Sequence, residues 1–138
     1  MKIDWSQKVT VAEKALELVP QVDVERDRRT AETFKFRNRF FQLRPKDVQN
    51  ITGAALAATL AIMNGAQPGN LRWSDPDNDF QWIATNNNTV TMDAQTMVEF
   101  ANAAMAWRSS LIFKARAIKD RLVFGEMLDI ADDTLWVD

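Results

Sequence analysis

The stretch that decides the fold covers residues 93–121 and reads DAQTMVEFANAAMAWRSSLIFKARAIKDR. Asp93 is a favourable N-cap, and the basic residues near the end suit the negative end of a helix dipole. Apolar residues recur every three or four positions, which is typical of one face of an α-helix: Met97, Phe100, Ala101, Ala104, Trp107, Leu111, Ala115 and Ile118. The sequence therefore predicts a long helix from Ala94 to about Arg121.

A second helix is predicted over residues 44–65, RPKDVQNITGAALAATLAIMNG. Pro45 is acceptable in a first turn, and Gly65 fits as the terminating residue. Many alanines make the helix slim, so a neighbouring helix can approach it closely. The residues at helical spacing are Val48, Ile51, Ala55, Leu56, Leu60 and Met63.

The N-terminal region predicts two shorter helices after an extended segment, IDWS. Thr10 and Glu13 have the spacing of a capping box, Pro20 interrupts or kinks the first helix, and Asp23 is placed to cap the second. One side of the first helix would hold Val11, Ala15, Leu18, Val19 and Val22. A coiled-coil seam fits as an alternative, but it spans only two heptads: Trp5, Val9, Ala12, Leu16 and Val19.

The remaining segments predict short strands. TFKFRNRFFQL reads as a β-hairpin with Asn38 in its turn, Arg37 and Arg39 exposed at the tip, and Phe34, Phe36 and Phe40 toward the core. NLRW, DFQWIAT and TVTM are three further strand candidates, separated by the turn-rich SDPDN and NNN. The predicted fold class is α+β, with two or three helices packed with a small antiparallel sheet of short hairpins.

Asp75, Asp77 and Asp79 alternate between two tryptophan-bearing segments and raise three alternatives: a calcium loop, a catalytic carboxylate cluster, or a hairpin tip. A calcium loop starting at Asp75 needs glycine at its sixth position and glutamate at its twelfth, where this chain has Phe80 and Asn86. The sequence favours the hairpin tip, with Trp73 and Trp82 as cross-strand packing partners. It leaves open whether these aspartates bind a cation.

The composition narrows the function classes. The chain has 138 residues and no cysteine, histidine or tyrosine, so disulfides, thiolate or imidazole metal ligands and a Ser-His-Asp triad are excluded. We predict no enzyme, no catalytic or metal-binding residues and no cofactor. The net charge of −2 and the lack of a phosphate loop or an apolar span lead us to expect no nucleic acid, membrane or small-molecule partner.

Charge is unevenly distributed along the chain. Residues 26–46 hold eight basic and two acidic residues, net +6, and residues 107–121 hold five basic and one acidic, net +4. Residues 122–138 hold five acidic residues and no basic one. The acidic segment can fold onto a basic face of its own chain or of a neighbour, or the charges can form separate solvated faces.

Four blocks of sequence resemble a domain of unknown function found in tailed bacteriophages and prophages, in tail proteins and tail-fibre assembly proteins. The resemblance covers roughly residues 22–120, through the blocks VERDRRTAETFKFRNRFFQ, NITGAALAATLAIMNGAQPGNLRW, FQWIATNNNTVTMDAQTM and AAMAWRSSLIFKARAIKD. It implies a gene near the tail and host-recognition genes, and it implies no catalytic residue. Members of this family often have a histidine near the middle of the last helix, where this chain has Trp107 and Arg108.

These features together lead to one interpretation of the chain. The expected organisation is an N-terminal helical or extended segment over residues 1–22, an α+β domain over 22–121 and an acidic-apolar tail over 122–138. The expected function is that of a structural protein of the virion tail, fibre or baseplate region, present in the host cytoplasm during assembly. A tail-fibre assembly chaperone, absent from the virion, is the alternative. The expected partners are other tail or fibre proteins or copies of the chain itself, contacted through Arg37, Arg39, Leu135 and Trp136.

Overall fold

A computed structural model describes the backbone of residues 5–137 and the side chains of residues 11–137. The elements are α1 (Trp5–Glu32), β1 (Phe34–Phe36), β2 (Arg39–Phe41), α2 (Pro45–Met63), β3 (Gln81–Ile83), β4 (Thr89–Thr91), α3 (Ala94–Val123) and a 3-10 turn (Asp133–Leu135). β1 pairs with β2 and β3 pairs with β4, both antiparallel. The predicted α+β class is therefore confirmed.

The chain divides into two compact units. The central unit is Thr30–Arg108, and the terminal unit combines the residues up to Arg29 with those from Ser109 onward. α3 supplies residues 94–108 to the central unit and 109–123 to the terminal unit. Within the part of the chain that the structure describes, no helix is long and apolar enough to span a bilayer.

Phe100 of α3 is the centre of the core of the central unit. Its ring centroid lies 4.8 Å from that of Phe41, 5.3 Å from Phe36, 5.4 Å from Phe34 and 5.6 Å from Trp82. Tilted and edge-to-face ring pairs at such distances add to the free energy gained by burial. The predicted apolar side of α3 is confirmed, because its residues are buried at Met97, Phe100, Ala101, Ala104, Leu111, Ala115 and Ile118, and Trp107 packs against the central core.

The first hairpin exists as predicted, but its core side differs at one residue. Arg37 and Asn38 both have positive φ, +49° and +65°, which is typical of the two-residue type I′ turn. Phe34 therefore pairs with Phe41. Directly paired residues share a face of the sheet, so Phe41 is buried and Phe40 is 51% exposed. The prediction for Phe40 was wrong because the turn has two residues.

Only two of the three further strand candidates form strands. Leu71–Trp73 is a turn segment, although the Phe80 amide donates to the Leu71 carbonyl at 2.7 Å. The proposed cross-strand pairing of Trp73 with Trp82 was also wrong. Both tryptophans contact Phe80, at 4.6 and 6.2 Å between ring centroids, and Trp73 Nε1 donates to the Met92 carbonyl at 2.9 Å.

Asp93 caps α3 as predicted and also fixes the loop that follows α2. Its Oδ1 accepts from the Thr96 amide at 2.7 Å, and its Oδ2 accepts from the Gly69 amide at 2.8 Å. Burial opposes ionisation of Asp93, but the hydrogen bonds from Thr96 and Gly69 outweigh it and lower the pKa of the carboxyl group.

α1 is one continuous helix, which corrects the prediction of two helices separated at Pro20. Pro20 lies inside it, exposed to solvent, while Ala15 and Val22 on either side are fully buried. The helix continues through Pro20 although proline donates no backbone hydrogen bond. Thr10 and Asp23 therefore lie inside α1 and cap no helix.

Of the two apolar sides proposed for α1, the first fits better: Val11 is 50% exposed, but Ala15 and Val22 are buried. In the alternative seam, Ala12 and Leu16 are exposed. The side chains of Trp5 and Val9 lie outside the described residues. In the proposed extended segment, Ile3 and Asp4 also lie outside them, whereas the backbone of Trp5 and Ser6 is helical.

Candidate interaction surfaces

The aspartate-rich segment forms a tight turn. The Asp75 carboxylate accepts from the Asp77 amide at 2.9 Å and from Asn78 Nδ2 at 3.0 Å, and Asp75 and Asn78 form an isolated antiparallel bridge. The hydrogen bond from Asn78 is the main cause of the lowered pKa of Asp75. Asp79 accepts from Arg72 Nε at 3.2 Å. A turn forms here, but the predicted hairpin tip was wrong, because Leu71–Trp73 forms no strand. Among the described residues, no group of three His, Cys, Asp or Glu side chains is placed to hold a metal ion.

The two arginines at the tip of the first hairpin have different environments. Arg37 forms an ion pair with Glu99 of α3, and its guanidinium carbon lies 5.3 Å from the Phe36 ring centroid. Arg39 is exposed, and no described acidic side chain pairs with it. Arg39 is therefore the better placed of the two for contact with an acidic partner.

Two shallow clefts lie where the hairpins meet. The Thr85 amide and hydroxyl both donate to the Phe40 carbonyl, at 2.9 and 3.0 Å. One cleft, of about 440 Å³, includes Arg37, Arg39 and Asn86 in its lining. The other, of about 310 Å³, lies beside Gln42, Gln81 and Trp82, with the Arg44–Asp47 ion pair at its wall. Both clefts are lined by side chains that can donate and accept hydrogen bonds.

The outward side of α2 is the most unusual surface of the central unit. Leu56, Leu60 and Met63 are 63%, 51% and 76% exposed. The side toward the core carries Val48, Ile51 and Ile62 together with alanines, of which Ala58 is fully buried and Ala54, Ala55 and Ala61 pack against the core. A helix of a soluble domain ordinarily buries its large aliphatic residues and exposes polar ones. α2 thus exposes three large aliphatic side chains, although its inner side still has space for Ile51.

The same side of α2 lacks charge and open hydrogen-bond donors. No charged residue occurs between Asp47 and Arg72. The Thr52 hydroxyl donates to the Val48 carbonyl and the Thr59 hydroxyl to the Ala55 carbonyl, both at 2.8 Å. Because these donors are already satisfied within the helix, covering them with another protein leaves no buried donor unpaired. We call the side formed by Thr52, Gly53, Leu56, Thr59, Leu60 and Met63 the α2 face.

In the terminal unit, the C-terminal segment packs on its own chain. Trp136 is 2% exposed, and its Nε1 donates to the Ile130 carbonyl at 2.8 Å. The Arg29 guanidinium lies 5.3 Å from the Trp136 ring centroid and bonds Asp133 Oδ1 at 2.8 Å and the Ala131 carbonyl at 3.1 Å. Of the alternatives for the acidic segment, the structure thus shows contact with a basic residue of its own chain.

Trp136 is buried, and Leu135 is partly buried beside it. Both therefore have intrachain packing roles. Their contact with a partner stays a prediction, as it does for Arg37 and Arg39.

A second polar contact of the terminal unit joins α1 to α3. Lys119 Nζ donates to Asp23 Oδ1 at 2.7 Å, and Arg26 Nη1 donates to the same oxygen at 3.0 Å. The hydrogen bond from Lys119 is the main cause of the lowered pKa of Asp23. Asp23, expected to be a helix cap, is instead a tertiary ion-pair partner.

The residues of the α2 face were recognised in the sequence as helical but not as a surface. The signal that identifies them is the charge-free run from residue 48 to residue 71. In an ordinary surface helix, charged residues mark the solvent side. Where they are missing, the periodicity predicts a helix without showing which side faces the core.

Comparison with known proteins gives one match. A family model described as Domain of unknown function (DUF4376) matches residues 13–135. This match is longer at both ends than the resemblance, which covers roughly residues 22–120. It includes the 3-10 turn Asp133–Leu135. No curated protein and no solved structure matches the chain. The chain belongs to the family described as Domain of unknown function (DUF4376).

Proposed function

We propose that this chain is a non-enzymatic protein of a tailed bacteriophage, a structural component of the virion tail, fibre or baseplate region that acts through protein–protein contacts. The observation that carries the contact role is the α2 face, where three large aliphatic side chains are more than half exposed on a helix that carries no charge after Asp47. The phage context comes from the resemblance in the four sequence blocks.

The energetics of the α2 face support a contact role. Burying a leucine or methionine side chain completely is worth about 1.5–3 kcal/mol. Three side chains that are more than half exposed therefore leave a few kcal/mol available to a partner that covers them. Exposed apolar patches of this kind are typical of protein-interaction sites.

An assembly chaperone is the second candidate, because the same exposed aliphatic side chains suit transient binding of an aggregation-prone fibre protein. The two candidates differ in where the chain is found. A structural component stays in the finished particle, whereas a chaperone leaves before assembly is complete.

Quantitative mass spectrometry of purified phage particles and of infected-cell lysate tests the proposal. A structural component is recovered in particles at a fixed copy number, such as a multiple of three or six. Absence from particles, with presence in lysate in complex with a fibre protein, assigns the chaperone role. Absence of any association with tail or fibre proteins in either sample contradicts both.

A further inference from the structure

We infer that the α2 face is a two-fold interface between two copies of this chain. The inference deepens the proposed function, on whose contact role for the α2 face it rests, by naming the partner. It is carried by three properties of the face: its neutrality, its mixture of large and small residues, and its extent.

The neutrality of the face allows two copies to pair without repulsion. A two-fold axis places residue i of one copy against residue j of the other and residue j against residue i, so only residues near the axis meet their own counterparts. A charged face would therefore oppose like charges at the axis. The α2 face contains no charged residue, and the nearest charges in sequence are Asp47 and Arg72 at the two ends of the uncharged run.

The shape of the face also suits pairing with itself. Leu56 and Met63 are one heptad apart, and Gly53 and Leu60 are one heptad apart beside them, so all four lie along one side of the helix. A Cβ built on Gly53 would meet nothing within 4 Å. Gly53 therefore leaves space on each copy for a large side chain of the other, as small residues do where helices approach closely.

The extent of the face is near the lower limit for a specific dimer. From Thr52 to Met63 the face is about 17 Å long, at about 1.5 Å per residue. For a face of this length we assume an area of roughly 500 Å², which is within the range of the largest apolar patches on monomeric proteins. Two such patches together bury about 1,000 Å², near the lower limit for a specific interface. This area predicts a reversible dimer.

Sedimentation equilibrium of the full chain provides the first test. We expect wild-type protein at 100–500 μM to approach twice the 15.7 kDa chain mass. Leu60→Asp should raise the dimer dissociation constant at least about 100-fold, tenfold for each copy, because each loses a buried leucine. Leu16→Asp is the matched control, since Leu16 is 54% exposed on α1 and Leu60 is 51% exposed on α2.

Cysteine cross-linking provides a second test that does not depend on tolerance of a charge. The chain has no cysteine, so a single Leu60→Cys or Leu16→Cys substitution introduces the only thiol. Under mild oxidation, the Leu60→Cys chain should form a disulfide-linked dimer much faster than the Leu16→Cys chain. Equal rates would overturn the inference.

A wild-type chain that remains monomeric at 500 μM would overturn the inference, and so would a dimer that Leu60→Asp leaves unchanged while the variant keeps its helical circular dichroism. Neither result would change whether the chain is recovered from phage particles. Failure of the dimer is therefore distinguishable from failure of the proposed function.

Discussion

Truncating Trp136 to alanine should destabilise the chain by about 3–5 kcal/mol, the usual cost of removing a buried tryptophan. The side chain is 2% exposed, so the substitution removes a ring that is almost completely buried in the terminal unit. The change also removes the hydrogen bond to the Ile130 carbonyl and the contact with Arg29. Urea unfolding followed by circular dichroism measures the free energy of unfolding.

Two variants separate the contributions. Trp136→Phe keeps an aromatic ring but loses the indole donor, so it should cost less than the alanine variant, about 1 kcal/mol for the hydrogen bond plus the smaller ring. Phe124→Ala is the control for a large aromatic residue of the same segment, because Phe124 is 90% exposed. It should change stability by no more than about 0.5 kcal/mol.

Truncation after Arg121 removes Trp136 and also the fully buried Leu122, so it should destabilise the chain at least as much as Trp136→Ala. An unfolding midpoint for Trp136→Ala within experimental error of wild type would refute the packing role of this tryptophan. An unchanged midpoint after truncation would refute a docking role for the whole segment.

Three further predictions concern single polar groups. Asp93→Ala should destabilise the chain by about 1–2 kcal/mol, because it removes the N-cap of α3 and the hydrogen bond from the Gly69 amide. Asp93→Asn should destabilise the chain less. Equal urea midpoints for Asp93→Ala and wild type would contradict this. The folded state lowers the pKa of Asp23, so its stabilising contribution is present above its unfolded pKa near 4 and is lost as pH falls through the folded pKa. The difference in unfolding free energy between wild type and Asp23→Asn should therefore shrink from pH 7 to pH 3, and a difference independent of pH would argue against the ion pair with Lys119. Arg39→Glu should weaken association with an acidic partner, identified by cross-linking in particles, more than Arg37→Glu does, because Arg37 already pairs with Glu99. The effect should be larger at low salt. Affinities that do not depend on salt would exclude such a contact.

The parts of the fold that could be predicted from sequence are those where a local signal and burial agree. In α3, the N-cap, the apolar period and the basic end all indicated the same helix, and its buried residues match. The first hairpin shows where such prediction stops. A turn of two residues rather than one exchanges Phe40 and Phe41 between the two faces, and the sequence offers asparagine at only one of the two turn positions.

α1 and α2 were harder to predict for other reasons. Pro20 disfavours a helix locally, but burial of Ala15 and Val22 depends on packing that the local sequence does not contain. In α2 the periodicity indicated the helix, while the outward side required knowledge of what packs beneath it. The inner side of α2 holds alanines with Val48, Ile51 and Ile62, while Leu56, Leu60 and Met63 face outward.

The central claim is that the α2 face is a contact surface within the phage particle. The most direct test is the amount of Leu60→Asp chain, relative to wild type, in particles assembled from a mixture of both, with Leu16→Asp measured in the same way. We predict that particles are depleted of Leu60→Asp and contain Leu16→Asp at wild-type levels. Equal incorporation of all three chains would contradict the claim.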